Sequence, residues 1–201
     1  MAGEYADLAA LRESLRLDPA DTSQDSMLTR ALSAASRGID RTTGRRFWLD
    51  TGPVARVYNP RGRTVCDDDG ETLLTDDIGS LTGLVVETGS AGTWTATADF
   101  EPVPDNALLD GRPVTGLLRD SGTWGLSYGA RSRVRVTARF GWPQIPDDIE
   151  QATLIQASRL YKRKDSPEGV MGSAEWGVVR LSRRDPDVWA LIEPFVLPGF
   201  G

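Results

Sequence analysis

The sequence predicts an α+β fold, in which a small helical bundle is interrupted by an inserted antiparallel β region, sandwich- or barrel-like. Three observations carry this expectation. Leu28, Ala31, Leu32, Ala35 and Ile39 recur at helical spacing, and Ile149 to Tyr161 repeat that behaviour far downstream. Between Thr51 and Trp142 the chain turns to glycine, proline, threonine and valine, with short runs of strand-forming residues. Helical patterning then returns after Pro143.

The first helix rests on Leu8, Leu11 and Leu15, one apolar stripe that Asp18-Pro19 ends, since the residue before proline disfavours the α region. The second begins at a capping-box-like start, Thr22 with Asp25 or Asp21 with Gln24, and stops at Gly44. Strands are expected at Val54–Asn59, Thr64–Asp67, Glu71–Thr75, Leu81–Thr88, Trp94–Phe100, Val114–Arg119 and Arg133–Phe140, with Asp69-Gly70 as a tight hairpin turn. The third helix follows Pro146, with Asp147 and Asp148 at its positive end and Lys162, Arg163 and Lys164 at its negative end. Its apolar face, which includes Ile149, Leu154, Ile155 and Tyr161, is broad enough to touch neighbours on more than one side. Gly177 to Ser182 reads as a strand. Asp185-Pro186 caps a last short helix bearing Val188, Leu191, Ile192 and Phe195. The expected divisions are therefore 1–50, helical; 51–142, β-rich; and 143–201, helical and packing with 1–50, plus a terminal tail.

Composition narrows function. The 201 residues hold 23 basic and 29 acidic side chains, a net charge of −6, which argues against tight non-specific binding to nucleic acid. Histidine is absent, which removes the commonest general base and metal ligand. The single cysteine excludes an intrachain disulfide and suits a reducing compartment. No apolar run suggests a signal peptide or a membrane span. No cofactor or metal is expected, and no turnover of nucleotides, glycans or esters.

Each chemical motif has a plainer reading. Asp67-Asp68-Asp69-Gly70-Glu71 lacks the EF-hand spacing and reads as a solvated hairpin tip. Asp76-Asp77 and Asp147-Asp148 are adjacent pairs rather than carboxylates facing across a cleft. Phosphate-loop, dinucleotide and nucleophile-elbow motifs are missing. Arg131, Arg133, Arg135 and Arg139 alternate with Val134, Val136, Ala138 and Phe140, a strand with a charged outer face. That face is read as solvated or as ion-paired to a neighbouring subunit, so Arg133 and Arg135 join Ile149, Leu154, Ile155 and Tyr161 as candidate subunit-interface residues. Arg45-Arg46-Phe47-Trp48 reads as an apolar plug rather than a base-stacking platform. The aromatic C-terminus supplies a candidate docking segment: Trp189, Ile192, Phe195, Leu197 and Phe200. The alternative for its last residues is simple disorder.

Four stretches carry a family likeness: Tyr5–Leu17; Leu28–Phe47; Val136–Asp165, with Thr-Ala-Arg-Phe-Gly-Trp-Pro and Pro-Asp-Asp-Ile-Glu-Gln-Ala; and Ser166–Asp187. In their order the chain resembles the head–tail connector (adaptor) family of tailed bacteriophages, gp6-like and gp15-like. The likeness covers about half the chain, mainly its helical parts; the β region is longer than in the minimal all-helical members, and its role is not carried over. It implies a non-enzymatic adaptor subunit that forms a ring with copies of itself, expected to match a twelve-fold portal protein. That ring would extend the DNA channel and meet a downstream neck or tail-completion protein. DNA would pass through without being gripped. The implied location is the virion neck, assembled in the bacterial host cytoplasm, with no membrane partner. Two other classes stay open: a β-rich carbohydrate- or peptide-binding module using Trp94, Trp124 or Trp142, and a carboxylate-based hydrolase.

Overall fold

The structure, a computed structural model, describes residues 3–18, 20–90, 92–125, 132–163, 170–171, 179–180 and 185–197. These residues form an α+β fold with four helices and a seven-stranded antiparallel sheet. The chain separates into two compact units, one made of Met1–Arg45 with Ile145–Gly201 and the other of Arg46–Gln144.

The first unit holds α1 (Leu8–Ser14), α2 (Asp25–Thr43), α3 (Asp147–Lys162) and α4 (Pro186–Ile192). Leu11, Leu28, Ala31, Leu32, Ala35, Ala157 and Tyr161 are buried together, with Leu8, Leu15, Leu154 and Leu160 packed around them. The predicted stripe on α2 is thus the seam of the bundle. Its predicted cap is different. The helix starts at Asp25 after Gln24, with no side-chain cap. Asp25 instead pairs with Arg12, whose guanidinium also donates to Asp18 O at 3.1 Å and Asp21 O at 2.6 Å. One buried arginine therefore gathers the connection between α1 and α2, and α1 ends at Ser14, short of Asp18. The expected stop of α2 is present: Gly44 takes a left-handed conformation and its N–H donates to Asp40 O. The Asp185 carboxylate accepts from the Asp187 and Val188 N–H groups and caps α4, with Pro186 at the first helical position. Separately, β8 (Val170–Met171) pairs antiparallel with β9 (Val179–Arg180).

The second unit holds β1 (Val54–Tyr58), β2 (Thr64–Asp67), β3 (Gly70–Ser90), β4 (Thr93–Thr97), β5 (Glu101–Val103), β6 (Val114–Arg119) and β7 (Arg133–Phe140). The sequence suggests separate strands at Glu71–Thr75 and Leu81–Thr88; both belong to the single long strand β3. Its first part pairs with β2 and β6, and its second part with β4 and β7. The register shifts between Leu74 and Ile78 and twice more between Ile78 and Val85. Such irregularities bend a strand and let it pass from one half of a sheet to the other. Both halves then bury their inner residues in one core, with Leu73, Val114 and Leu117 from the first and Tyr58, Val86, Val134, Val136 and Phe140 from the second. The hairpin between β2 and β3 pairs Asp67 with Gly70, so its two loop residues are Asp68 and Asp69. Strand β5, which the sequence does not announce, pairs with β6 through Glu101–Val103.

The bend is held by backbone contact. Gly141 N–H donates to Asp77 O at 2.8 Å, and Asp50 N–H to Phe140 O at 2.8 Å. Gly141 has φ +114°, and a Cβ there would lie 2.0 Å from Trp48 O. A Cβ on Gly79 would lie 2.7 Å from Gly141 O. Neither position has room for a side chain. Gly141→Ala is expected to lower unfolding free energy by at least about 2 kcal/mol, from backbone strain plus overlap. Denaturant titration of the purified variant checks this, and a stability equal to wild type would refute the close approach.

Candidate assembly surfaces

The β7 stripe is arranged as its alternation predicts: Val134, Val136, Ala138 and Phe140 are buried, and Arg133, Arg135, Thr137 and Arg139 lie on the outer face. Arg131 falls outside the described residues. The candidate interface arginines already have partners in their own sheet. Arg135 grips Glu87 of the neighbouring strand through two hydrogen bonds, of 2.6 and 2.7 Å. The bidentate pair holds the Glu87 carboxyl below its ordinary range, the hydrogen bond from Arg135 being the main cause. The Arg135 guanidinium also lies 4.5 Å from the Trp94 ring centre. Trp94 in turn lies over Gly89, whose missing side chain leaves the space. Arg133 donates to Asn59 Oδ1 at 3.3 Å, and Arg139 to Asp50 O at 2.8 Å.

Two of the three tryptophans read as possible ligand platforms are interior. Trp124 is buried, and its indole N–H is shared between Glu71 O and Leu117 O, 3.0 Å from each. Trp142 is buried against Phe47, with ring centres 5.2 Å apart, and donates to Asp77 Oδ2 at 3.0 Å. Phe47 is fully buried, and the Trp48 ring is covered by Arg46 at 3.8 Å.

The acidic residues are likewise engaged in structure. Asp67 at the hairpin accepts from the Asp69 N–H at 3.1 Å, and among the described residues no group of three or more potential ligands could hold a metal ion. Asp76 sits in the bend of β3, where Arg56 donates to it at 2.6 Å and Tyr58 at 3.1 Å, with Arg63 at 3.6 Å. Burial alone would raise its pKa. The Arg56 hydrogen bond and charge, with help from Tyr58 and Arg63, outweigh that and lower it. Burial, reinforced by the negative charge of Asp76, pushes the Tyr58 hydroxyl well above its ordinary value.

In the helical unit, the candidate interface residues divide. Tyr161 is buried in the helical core and Ile149 is buried as well, so both are corrected from subunit-interface to interior residues. The broad face of α3 is taken up by α1, α2 and α4 of the same chain. Leu154 and Ile155 are half-buried. Among the candidate docking residues, Ile192 is buried with Val188 and is corrected in the same way. Trp189 and Phe195 are half-buried, and Leu197 is 41% exposed. The segment after α4 is anchored to the end of α2, since Leu197 N–H donates to Thr43 O at 2.8 Å and Arg45 Nε to Phe195 O at 2.9 Å. Phe200 falls outside the described residues.

No protein-family model matches the chain, and no curated protein matches it. Solved structures do. A chain in the neck of an empty GTA particle, computed with C6 symmetry, aligns with a TM-score of 0.55 at 21% identity over 100% of this chain and 95% of the other. A chain in the virion of a native gene transfer agent (GTA) particle aligns with a TM-score of 0.54 at 22% identity over 98% and 92%. At this identity the likeness establishes a shared fold, and it extends over both units.

The Asp76 cluster generates a pH prediction. A carboxyl whose folded pKa is lowered stabilises the fold above its ordinary value and loses that effect as pH falls through the folded value. Asp76→Asn should therefore melt below wild type at neutral pH, with the gap closing as pH drops below the ordinary value of 3.8. Thermal unfolding across that range checks it; a gap independent of pH would contradict the ion-pair origin.

Proposed function

We propose that this chain is a structural head-to-tail adaptor subunit of a tailed, phage-like particle, which forms a ring below the portal protein, extends the DNA channel and receives the next neck or tail component. One observation carries the reading: the fold of the whole chain, β-rich unit included, is that of a chain found in a particle neck. The segment order noted in the sequence supports it independently. A ring of twelve copies is compatible with the six-fold symmetry in which that neck was computed, because a twelve-fold axis contains a six-fold one. The net charge of −6 suits a subunit that lets DNA pass without holding it. The carbohydrate-binding alternative loses two of its three platforms to the core, and the carboxylate alternative finds Asp76 and Asp77 engaged by Arg56, Tyr58 and Trp142.

The C-terminal segment is the proposed contact with the portal protein, through Trp189, Phe195 and Leu197 with the residues that follow. A terminal apolar segment that is part exposed suits a docking contact made during assembly. Deleting residues 196–201 removes the Leu197–Thr43 and Val196–Glu193 backbone hydrogen bonds and leaves the helices of the described structure in place. The truncated chain is expected to fold, while portal-bearing heads accumulate without tails. Joining at the wild-type level, scored by electron microscopy of the heads, would refute the docking role.

A further inference from the structure

Two apolar surfaces of the β-rich unit are left open among the described residues. The first is a knob. The connection from β5 to β6 is tightly hydrogen-bonded: Leu109 N–H donates to Asn106 O at 2.9 Å, Asp110 N–H to the same oxygen at 3.1 Å, and Arg112 N–H to Ala107 O at 2.8 Å. Ala107 is buried and Leu108 packs on the core, so the loop is fixed from beneath. At its tip Leu109 is 86% exposed, the most exposed of the large apolar residues described. The second is the outer face of the half-sheet β4-β3-β7-β1. Strand register places Val57 beside Arg135 and Val85 beside Thr137, with Glu87 on the far side of Arg135 and opposite Ala96. Val57 is 55% exposed and Val85 46%, and Ala55 and Ala96 are exposed beside them.

The charges around the two surfaces are opposite. The knob is flanked by exposed Asp105 and Asp110, with one compensating arginine, Arg112. The face carries Arg133, Arg135 and Arg139 against the single Glu87. Complementary charge fixes which surfaces meet and in what register, while the apolar contact supplies the burial.

We infer that the Leu109 loop of one copy seats on the Val57–Val85 face of a second copy. This builds on the self-assembling reading above and names its contact. The two surfaces are different parts of one chain, so the contact is head-to-tail, and a head-to-tail contact that closes generates a ring.

Leu109→Ser removes only the apolar tip of the knob, and Val57→Asp puts a carboxylate only on the face, opposite the acidic loop. Both side chains are exposed, so both variants should keep the wild-type circular dichroism and melting temperature. In sedimentation velocity at rising concentration, the wild type is expected to form assemblies larger than dimers. Each variant alone should stay monomeric, its association weakened at least about tenfold by the lost burial of Leu109 in one and by repulsion between the new carboxylate at position 57 and the acidic loop in the other. An equimolar mixture should stop at dimers, because one intact knob meets one intact face and the remaining ends cannot pair. Variants that assemble like wild type would overturn this contact and leave self-assembly standing. A mixture that stays monomeric would overturn the pairing of these two surfaces. A wild type that never associates would overturn the contact together with the self-assembling reading.

Discussion

Strand β3 has to bend, because it serves as the central strand of both halves of the sheet. It runs from Gly70 to Ser90 and pairs on both sides along much of that length. Without the irregularities between Leu74 and Val85 the two halves would continue as one open layer, and Leu73 and Leu117 would not share a core with Val86 and Val134. The bend in turn requires the side-chain-free approach of Gly79, Gly141 and the Trp48 backbone. It also requires that the acidic pair there find hydrogen-bond donors, which Arg56 and Tyr58 supply to Asp76 and the Trp142 indole to Asp77. The exposed outer face and the Leu109 loop are both consequences, since each lies on an element positioned by one half of the folded sheet.

Arginine does much of the fixing. The chain has almost no lysine, and its guanidinium groups repeatedly lie over aromatic rings while bonding to carboxylates or carbonyls. Arg12 gathers a loop, Arg56 spans the β3 bend beside Phe140, Arg119 covers Trp124, and Arg135 joins β7 to β3 beneath Trp94. A planar, forked cation can meet several partners at once, which a lysine ammonium cannot do in the same geometry. The abundance of arginine therefore reflects internal construction, and it is consistent with a protein whose overall charge remains acidic.

What was legible in the sequence was whatever depends on local periodicity. The stripe on α2, the Gly44 stop, the Asp185-Pro186 cap and the in-out alternation of β7 all follow from spacing within one element. What was not legible depends on partners distant in the chain. The continuity of β3 was hidden because Asp76, Asp77 and Gly79 weaken strand propensity where the strand bends. The breadth of the α3 apolar face signals several neighbours, but not that α1, α2 and α4 of the same chain supply them, which is why Ile149 and Tyr161 looked like interface residues. Arg135 announced an ion pair, but its partner Glu87 is set by strand register, which a single sequence does not disclose. Leu109 gave no periodic signal at all. Its exposure depends on a hydrogen-bonded loop whose shape arises from Asn106 and Ala107.

The adaptor reading rests on a shared fold and on the order of segments in the sequence. The measurement that bears on it most directly is cryo-electron microscopy of the assembled particle that carries this chain, with the neck reconstructed without imposed symmetry. Density for this chain as a closed ring between the portal protein and the tail, its copy number a multiple of the six-fold order, is the predicted result. Its absence from the neck, or its presence there as a two-fold dimer, would contradict the proposed role.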